Sequence, residues 1–279
     1  MKLEKTIRLS LSYMLLILVM AIIIYPLAWA TTASINPGNS LITLSFIPQN
    51  PTLDHYRRLF QNAPNLPYLQ WYMNSMKVSF FTMILTIICV SFTGYAFSRF
   101  RFKGRKNGLM LFLLLQMIPQ FSALIAIFVL ATMLGLINSH WLLILIYVGG
   151  MIPMNTYLMK GYLDSIPLDL DESARIDGAG NTRIFLSILL PLSKPMIAVV
   201  GMTGFTGPLG DFILASVILR SPQYATLPIG LHRLVTDPVT ASYTTFAAGA
   251  LLISVPIAIV FLLLQKYFVS GLSAGGVKG

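Results

Sequence analysis

Leu9-Ser-Leu-Ser-Tyr-Met-Leu-Leu-Ile-Leu-Val-Met-Ala-Ile-Ile-Ile-Tyr-Pro-Leu-Ala-Trp-Ala30 carries no charged residue in 22 positions. As a helix rising about 1.5 Å per residue, it is long enough to cross roughly 30 Å of hydrocarbon. Five more apolar blocks follow at about 72–98, 108–134, 141–160, 195–219 and 244–267. The composition agrees: 56% of the 279 residues are hydrophobic and 10% charged, and mean hydropathy is +0.77. A soluble domain holds roughly 25% charged residues. The expectation is an all-α polytopic membrane protein of six transmembrane helices, forming one membrane domain over 1–279.

Basic residues set the expected orientation. Fourteen Lys and Arg fall at the N-terminus, in the 99–106 and 160–194 loops and at the C-terminal end, against four on the other side. Cytoplasmic loops collect such residues, so both termini are expected in the cytoplasm. The net charge of +10 is then a matter of topology, and no nucleic-acid partner is implied. Tyr68, Trp71, Tyr72 and Trp141 sit at expected outer ends, where amphipathic aromatics favour the interface. Lys2, Lys5 and Arg8 before an apolar run look like a signal peptide, but the run is too long and lacks a small-x-small site. It reads as a retained first helix. A single Cys89 excludes an internal disulfide and a cysteine metal site.

Between the fourth and fifth blocks lies Ser165-Ile-Pro-Leu-Asp-Leu-Asp-Glu172-Ser-Ala-Arg-Ile-Asp-Gly178-Ala-Gly180, followed by Ile188-Leu-Leu-Pro191. Pro167 and the acids Asp169, Asp171 and Glu172 read as a helix start, with negative charge at the positive dipole end. Ser173, Ala174, Ile176 and Ala179 keep its surface small and apolar, and Gly178 and Gly180 admit a sharp turn. A short helix ended by a glycine turn suits docking into a groove of another protein.

Glu172, Ala174, Gly178, Ile188, Leu190 and Pro191, with Ser173 in place of the middle Ala, resemble the "EAA" coupling loop of binding-protein-dependent ABC importers. Thr52-Leu-Asp-His-Tyr56, Asn74-Ser75, Tyr95 to Gly104, Met117-Ile-Pro119 and Ile152-Pro-Met-Asn155 are similar to segments of carbohydrate-importer permeases. Trp141 to Gly180 and the tail Phe268 to Gly279 are similar to the MalG-type permeases of maltose and maltodextrin importers.

The resemblance implies a type I ABC importer permease fold, with a cytoplasmic coupling helix between helices four and five. It implies a multi-pass protein of the bacterial inner membrane that is not itself an enzyme. Its implied partners are a second homologous permease, two ATPase subunits and an extracytoplasmic sugar-binding protein. ATP and Mg then belong to the ATPase, and this chain binds no cofactor. No G-x-x-x-x-G-K-[ST] phosphate loop is present, in keeping with that division of labour. The implied cargo is maltose or maltodextrin, with raffinose, sucrose or a galacto-oligosaccharide as the alternative. Glu172, Ser173, Ala174, Asp177, Gly178, Ile188, Leu190 and Pro191 are the implied coupling residues.

Asp211 lies mid-block after Gly207-Pro-Leu-Gly210. A charge there costs roughly 2.5–3.5 kcal/mol on insertion scales, so it should face a partner, a cavity or water. Asp211, Gly210 and Pro208 are candidates for the translocation path; a structural hydrogen bond to a neighbouring helix is the other reading. Gly204, Gly207, Pro208 and Gly210 predict a helix break. Lys77 is close enough to an interface to snorkel, and Arg99, Arg101, Lys103, Arg105 and Lys106 read as topology anchors. The three His do not cluster as metal ligands.

Two further segments have expected partners. Leu227, Pro228, Ile229 and Gly230, in the polar loop 220–243, resemble an outer loop that contacts the binding protein. Gly275, Gly276 and Lys278 lie in a glycine-rich tail that by composition is disordered but resembles an ATPase-contacting tail. A secondary transporter is the competing class. Internal repeats and several membrane-embedded ionisable groups would mark it; only Asp211 qualifies, and the patterned loop would go unexplained.

Overall fold

The computed structural model describes residues 2–39, 48–61, 66–117, 119–236 and 241–276. All regular structure among them is helical. In chain order the helices are α1 (Lys2–Ser34), α2 (Asp54–Phe60), α3 (Tyr68–Arg99), α4 (Arg105–Leu115), α5 (Leu124–Met133), α6 (His140–Asp164) and α7 (Asp169–Ile176). Then come α8 (Asn181–Leu192), α9 (Lys194–Gly210), α10 (Ile213–Ile218), α11 (Leu227–Thr236) and α12 (Tyr243–Gly276).

Four helices are long and apolar enough to cross a membrane: Lys5–Ser34, Tyr68–Arg99, His140–Asp164 and Tyr243–Phe268. The expected third and fifth spans are not continuous. Block 108–134 divides into α4, a 3-10 turn at Gln120–Ala123 and α5. Pro119 explains the division, because its ring removes a donor and disfavours helix in the residue before it. The fifth block stays helical through Gly207, Pro208 and Gly210, and the break falls after Gly210, where Asp211 turns extended (φ −87°, ψ 125°). Before it, α8 and α9 meet at a 77° bend. That bend has identifiable causes: a π-helical turn at Phe185–Leu189, and a proline in the first turn of α9.

The chain forms two compact units. The first comprises 1–69 and 230–255. At its centre His55 hydrogen-bonds the Asn36 carbonyl (2.9 Å) and Thr245 Oγ1 (3.1 Å). Tyr68 donates to the Gly249 carbonyl at 3.0 Å, beside the fully buried Leu59. The apolar window of α1 buries none of its length in this chain.

The second unit comprises 70–229 and 256–279. In a bilayer the hydrophobic effect does not drive helices together, so close packing must. Gly204 of α9 shows how tightly. A Cβ placed there would lie 3.0 Å from the Cα of Met83 in α3, so any side chain would press the two backbones apart. At the start of α6, Ser139 Oγ accepts the N–H of Leu142 and caps the helix.

Candidate functional site

The segment between α6 and α9 is a separate small platform. α7 carries Asp169, Asp171 and Glu172 in its first turn, where the dipole favours them. Its end is set by hydrogen bonds that identify a Schellman motif. The N–H of Gly178 donates to the Arg175 carbonyl (3.0 Å), and that of Ala179 to the Ala174 carbonyl (2.9 Å). Such an end needs a left-handed residue, and Gly178 has φ +81°.

The underside of the platform is apolar. Ala174, Ile184, Phe185 and Leu189 pack with Val90 and Tyr95 of α3, Met159 and Leu163 of α6, and Met196 and Val200 of α9. Ile188 and Leu190 pack against the same cluster, and so does Ala179. Tyr95 stacks on Phe185 with ring centres 4.7 Å apart and donates to the Asn181 carbonyl at 3.1 Å. The residues expected to couple therefore divide by face. Ala174, Ile188 and Leu190 hold the platform to the helices, whereas Glu172, Ser173, Asp177 and Pro191 are exposed. Leu168, Leu170 and Ile176 are exposed as well, Ile176 at 87%. Beside them Ala174, Asp177, Ala179, Arg183, Ser187 and Ile188 line a hollow of about 240 Å³.

An ion pair ties this platform down. Arg99 Nε donates to Asp171 Oδ2 at 2.8 Å, with side chains only 4% and 7% exposed. The same guanidinium donates to the carbonyls of Leu163 (3.0 Å) and Ile166 (3.1 Å) and to Ser98 Oγ (3.1 Å). Ser98 in turn donates to Asp164 Oδ1 at 2.7 Å, and Lys160 pairs with Asp164. Arg99 thus holds the ends of α3 and α6 and the start of α7 together. From sequence it reads as a topology anchor, since nothing local ties it to a residue 72 positions away. A positive residue at a helix end facing an acid-rich segment was the only available signal.

Asp211 is hydrogen-bonded to neighbouring elements and also borders a cavity. Its Oδ2 accepts from Tyr147 Oη (2.6 Å) and from the N–H of Ala215 (2.9 Å), and Oδ1 faces the N–H of Leu214 at 3.4 Å. It also lines a cavity of about 470 Å³, together with Tyr147, Gly150 and Gly207. Tyr147 carries no sequence signal. Pro208 is buried, and Gly210 is exposed.

The segment 220–243, read from sequence as a polar loop, is helical over Leu227–Thr236. Leu227 and Ile229 are buried (0% and 5% exposed), Gly230 is buried too, and Pro228 is half-buried. They form the first turn of α11, and the Leu227 N–H donates to Ser75 Oγ at 2.7 Å. Apolar residues at helical spacing pack inward here rather than project. Pro222, Gln223 and Tyr224, just before this helix, are exposed. In the tail the backbone stays helical through Gly275 and Gly276, and Lys278 lies outside the described residues.

The sequence model of the family described as binding-protein-dependent transport system inner membrane component matches residues 91–274. Over 279 residues the chain is 69% identical to the galactooligosaccharides transport system permease protein GanQ of Bacillus subtilis, covering 100% of this chain and 99% of that one. It is 46% identical over 268 residues to the maltodextrin transport system permease protein MdxG of the same organism, covering 96% and 95%. In fold it is similar to a chain of a bacterial ABC transporter involved in alginate import. That match has a TM-score of 0.74 at 23% identity and covers 92% of this chain and 95% of the other.

Proposed function

The chain belongs to the family of binding-protein-dependent transport system inner membrane components, and from that premise we propose that it is the permease of a galacto-oligosaccharide importer. It is a sugar-importer permease and not an enzyme, with several apolar helices for the membrane. The observation that carries the cargo is the 69% identity to a galactooligosaccharide permease over the full chain. Maltodextrin, the cargo implied by the sequence resemblance, stands as the second reading on 46% identity to a maltodextrin permease.

In this reading the chain pairs with a second homologous permease and receives sugar from an external binding protein. α7 docks on a cytoplasmic ATPase subunit, one of two, which handles ATP and Mg. Exposed Ile176, Leu168 and Leu170 support this, because isolated apolar side chains beside acids on a short helix suit a groove in a partner. The Lys and Arg excess around α7 and at both termini supports a cytoplasmic location for them.

The test is uptake in a strain lacking this chain, re-supplied with the intact gene. Labelled galactotriose, maltotriose, raffinose and sucrose are compared. Galactotriose should be restored to the highest rate. Restoration of maltotriose alone would move the cargo to the second reading, and restoration of none would remove both cargo readings.

A further inference from the structure

Asp211 is a carboxylate inside the apolar part of the chain, and no Lys or Arg pairs with it among the described residues. An uncompensated carboxylate at such a place must face water or a polar occupant. The cavity beside it supplies the space. Its volume of about 470 Å³ lies between α5, α6, α9 and α10, within the roughly 300–1,000 Å³ of small-ligand sites. Leu124, Ile127 and Ile146 make an apolar wall, and Tyr147 and Asp211 are its two hydrogen-bonding side chains, apart from the weak acceptor Met151. Tyr147 lies seven residues beyond the start of α6, about 10 Å along the helix.

We propose that this cavity is a binding site for a neutral saccharide, with Asp211 and Tyr147 as its polar contacts. The proposal rests on the importer reading and adds that this chain itself touches the cargo. The chemistry selects the class. Among the described residues Asp211 Oδ1 has one long contact, which leaves it room to accept from a hydroxyl, and a hydroxyl on a carboxylate forms a strong charge-assisted bond. Tyr147 Oη spends its proton on Asp211 and keeps acceptor capacity for a second hydroxyl. The ring and the aliphatic wall suit the C–H faces of a sugar. An anionic saccharide would be repelled by Asp211. A metal ion requires several oxygen ligands, and no group of three or more His, Cys, Asp or Glu is assembled among the described residues.

The test uses the whole importer reconstituted in liposomes, measuring uptake of labelled galactotriose and maltotriose. Three variants address the site: Asp211→Asn, Tyr147→Phe and Gly150→Leu. Gly150 lines the cavity, and a Cβ there meets nothing within 4 Å, so Leu fills the space without disturbing the Asp211 hydrogen bonds. Asp211→Asn and Gly150→Leu should each lower uptake about tenfold, the scale of one lost hydrogen bond to a charged group, with the assembled complex at wild-type amount. The ratio of the two sugars should shift in all three variants. Should Asp211→Asn fail to assemble, Gly150→Leu decides. Wild-type uptake in Gly150→Leu, or a uniform loss for both sugars, would overturn the site. Failure of the wild-type importer to carry either sugar would overturn the proposed cargo instead.

Discussion

Arg99 and Asp171 form an ion pair of 2.8 Å across 72 positions of chain, with both side chains almost fully buried. Buried pairs add little net stability, but removing one partner strands the other charge and typically costs about 3–5 kcal/mol. Here the stranded group would lie at the joint of α3, α6 and α7. We expect Arg99→Ala and Asp171→Ala each to lower the detergent melting temperature and to reduce sugar uptake. The double variant should recover part of the loss. A double variant with losses equal to the sum of the two singles would show that the pair does not act as a unit.

Gly178 holds φ +81° at the end of α7. A side chain in that conformation costs roughly 1–2 kcal/mol, so Gly178→Leu should shift the turn while leaving the protein in the membrane. No atom lies within 4 Å of a Cβ at this position, so strain and not collision is the cause. Co-purified ATPase should fall several-fold. Full co-purification with normal uptake would show that the turn does not set docking.

Ile176 is 87% exposed on the platform. Since it touches so little of its own chain, Ile176→Glu should leave the unfolding free energy within about 0.5 kcal/mol of wild type, and the melting temperature nearly unchanged. Its effect should appear in ATPase docking and uptake, both strongly reduced. A drop in melting temperature instead would assign Ile176 to internal packing.

Gly204 faces the α3 backbone, with a built Cβ 3.0 Å from Met83 Cα. Backbone cannot rotate away as a side chain can, so Gly204→Val must separate α3 from α9. Overpacking of this kind costs about 1–3 kcal/mol. The yield of folded protein after detergent extraction should fall, and Gly204→Ala should fall less. Equal yields would mean that α3 and α9 do not depend on this contact.

Long apolar blocks near 9–30, 72–98, 141–160 and 244–267 emerge as continuous helices because hydrocarbon leaves the backbone no other partner than itself. The acid-rich start, the glycine turn and the small residues of α7 are equally local, so the platform's helix and its end were legible in the sequence. Three things were decided only by tertiary structure. The third and fifth blocks were expected as whole spans; the glycines and Pro208 signalled a break in the fifth, but not that it falls after Gly210, nor that the third divides at Pro119. Leu227 and Ile229 lie in a stretch that looks like a loop but is pulled inward as a packed helical turn. Arg99 with Asp171, and Tyr147 with Asp211, join residues 72 and 64 positions apart. Local pattern reports periodicity and turn chemistry, which act over a few residues. Which buried charge meets which partner depends on helix packing, and that is settled only when distant segments come together.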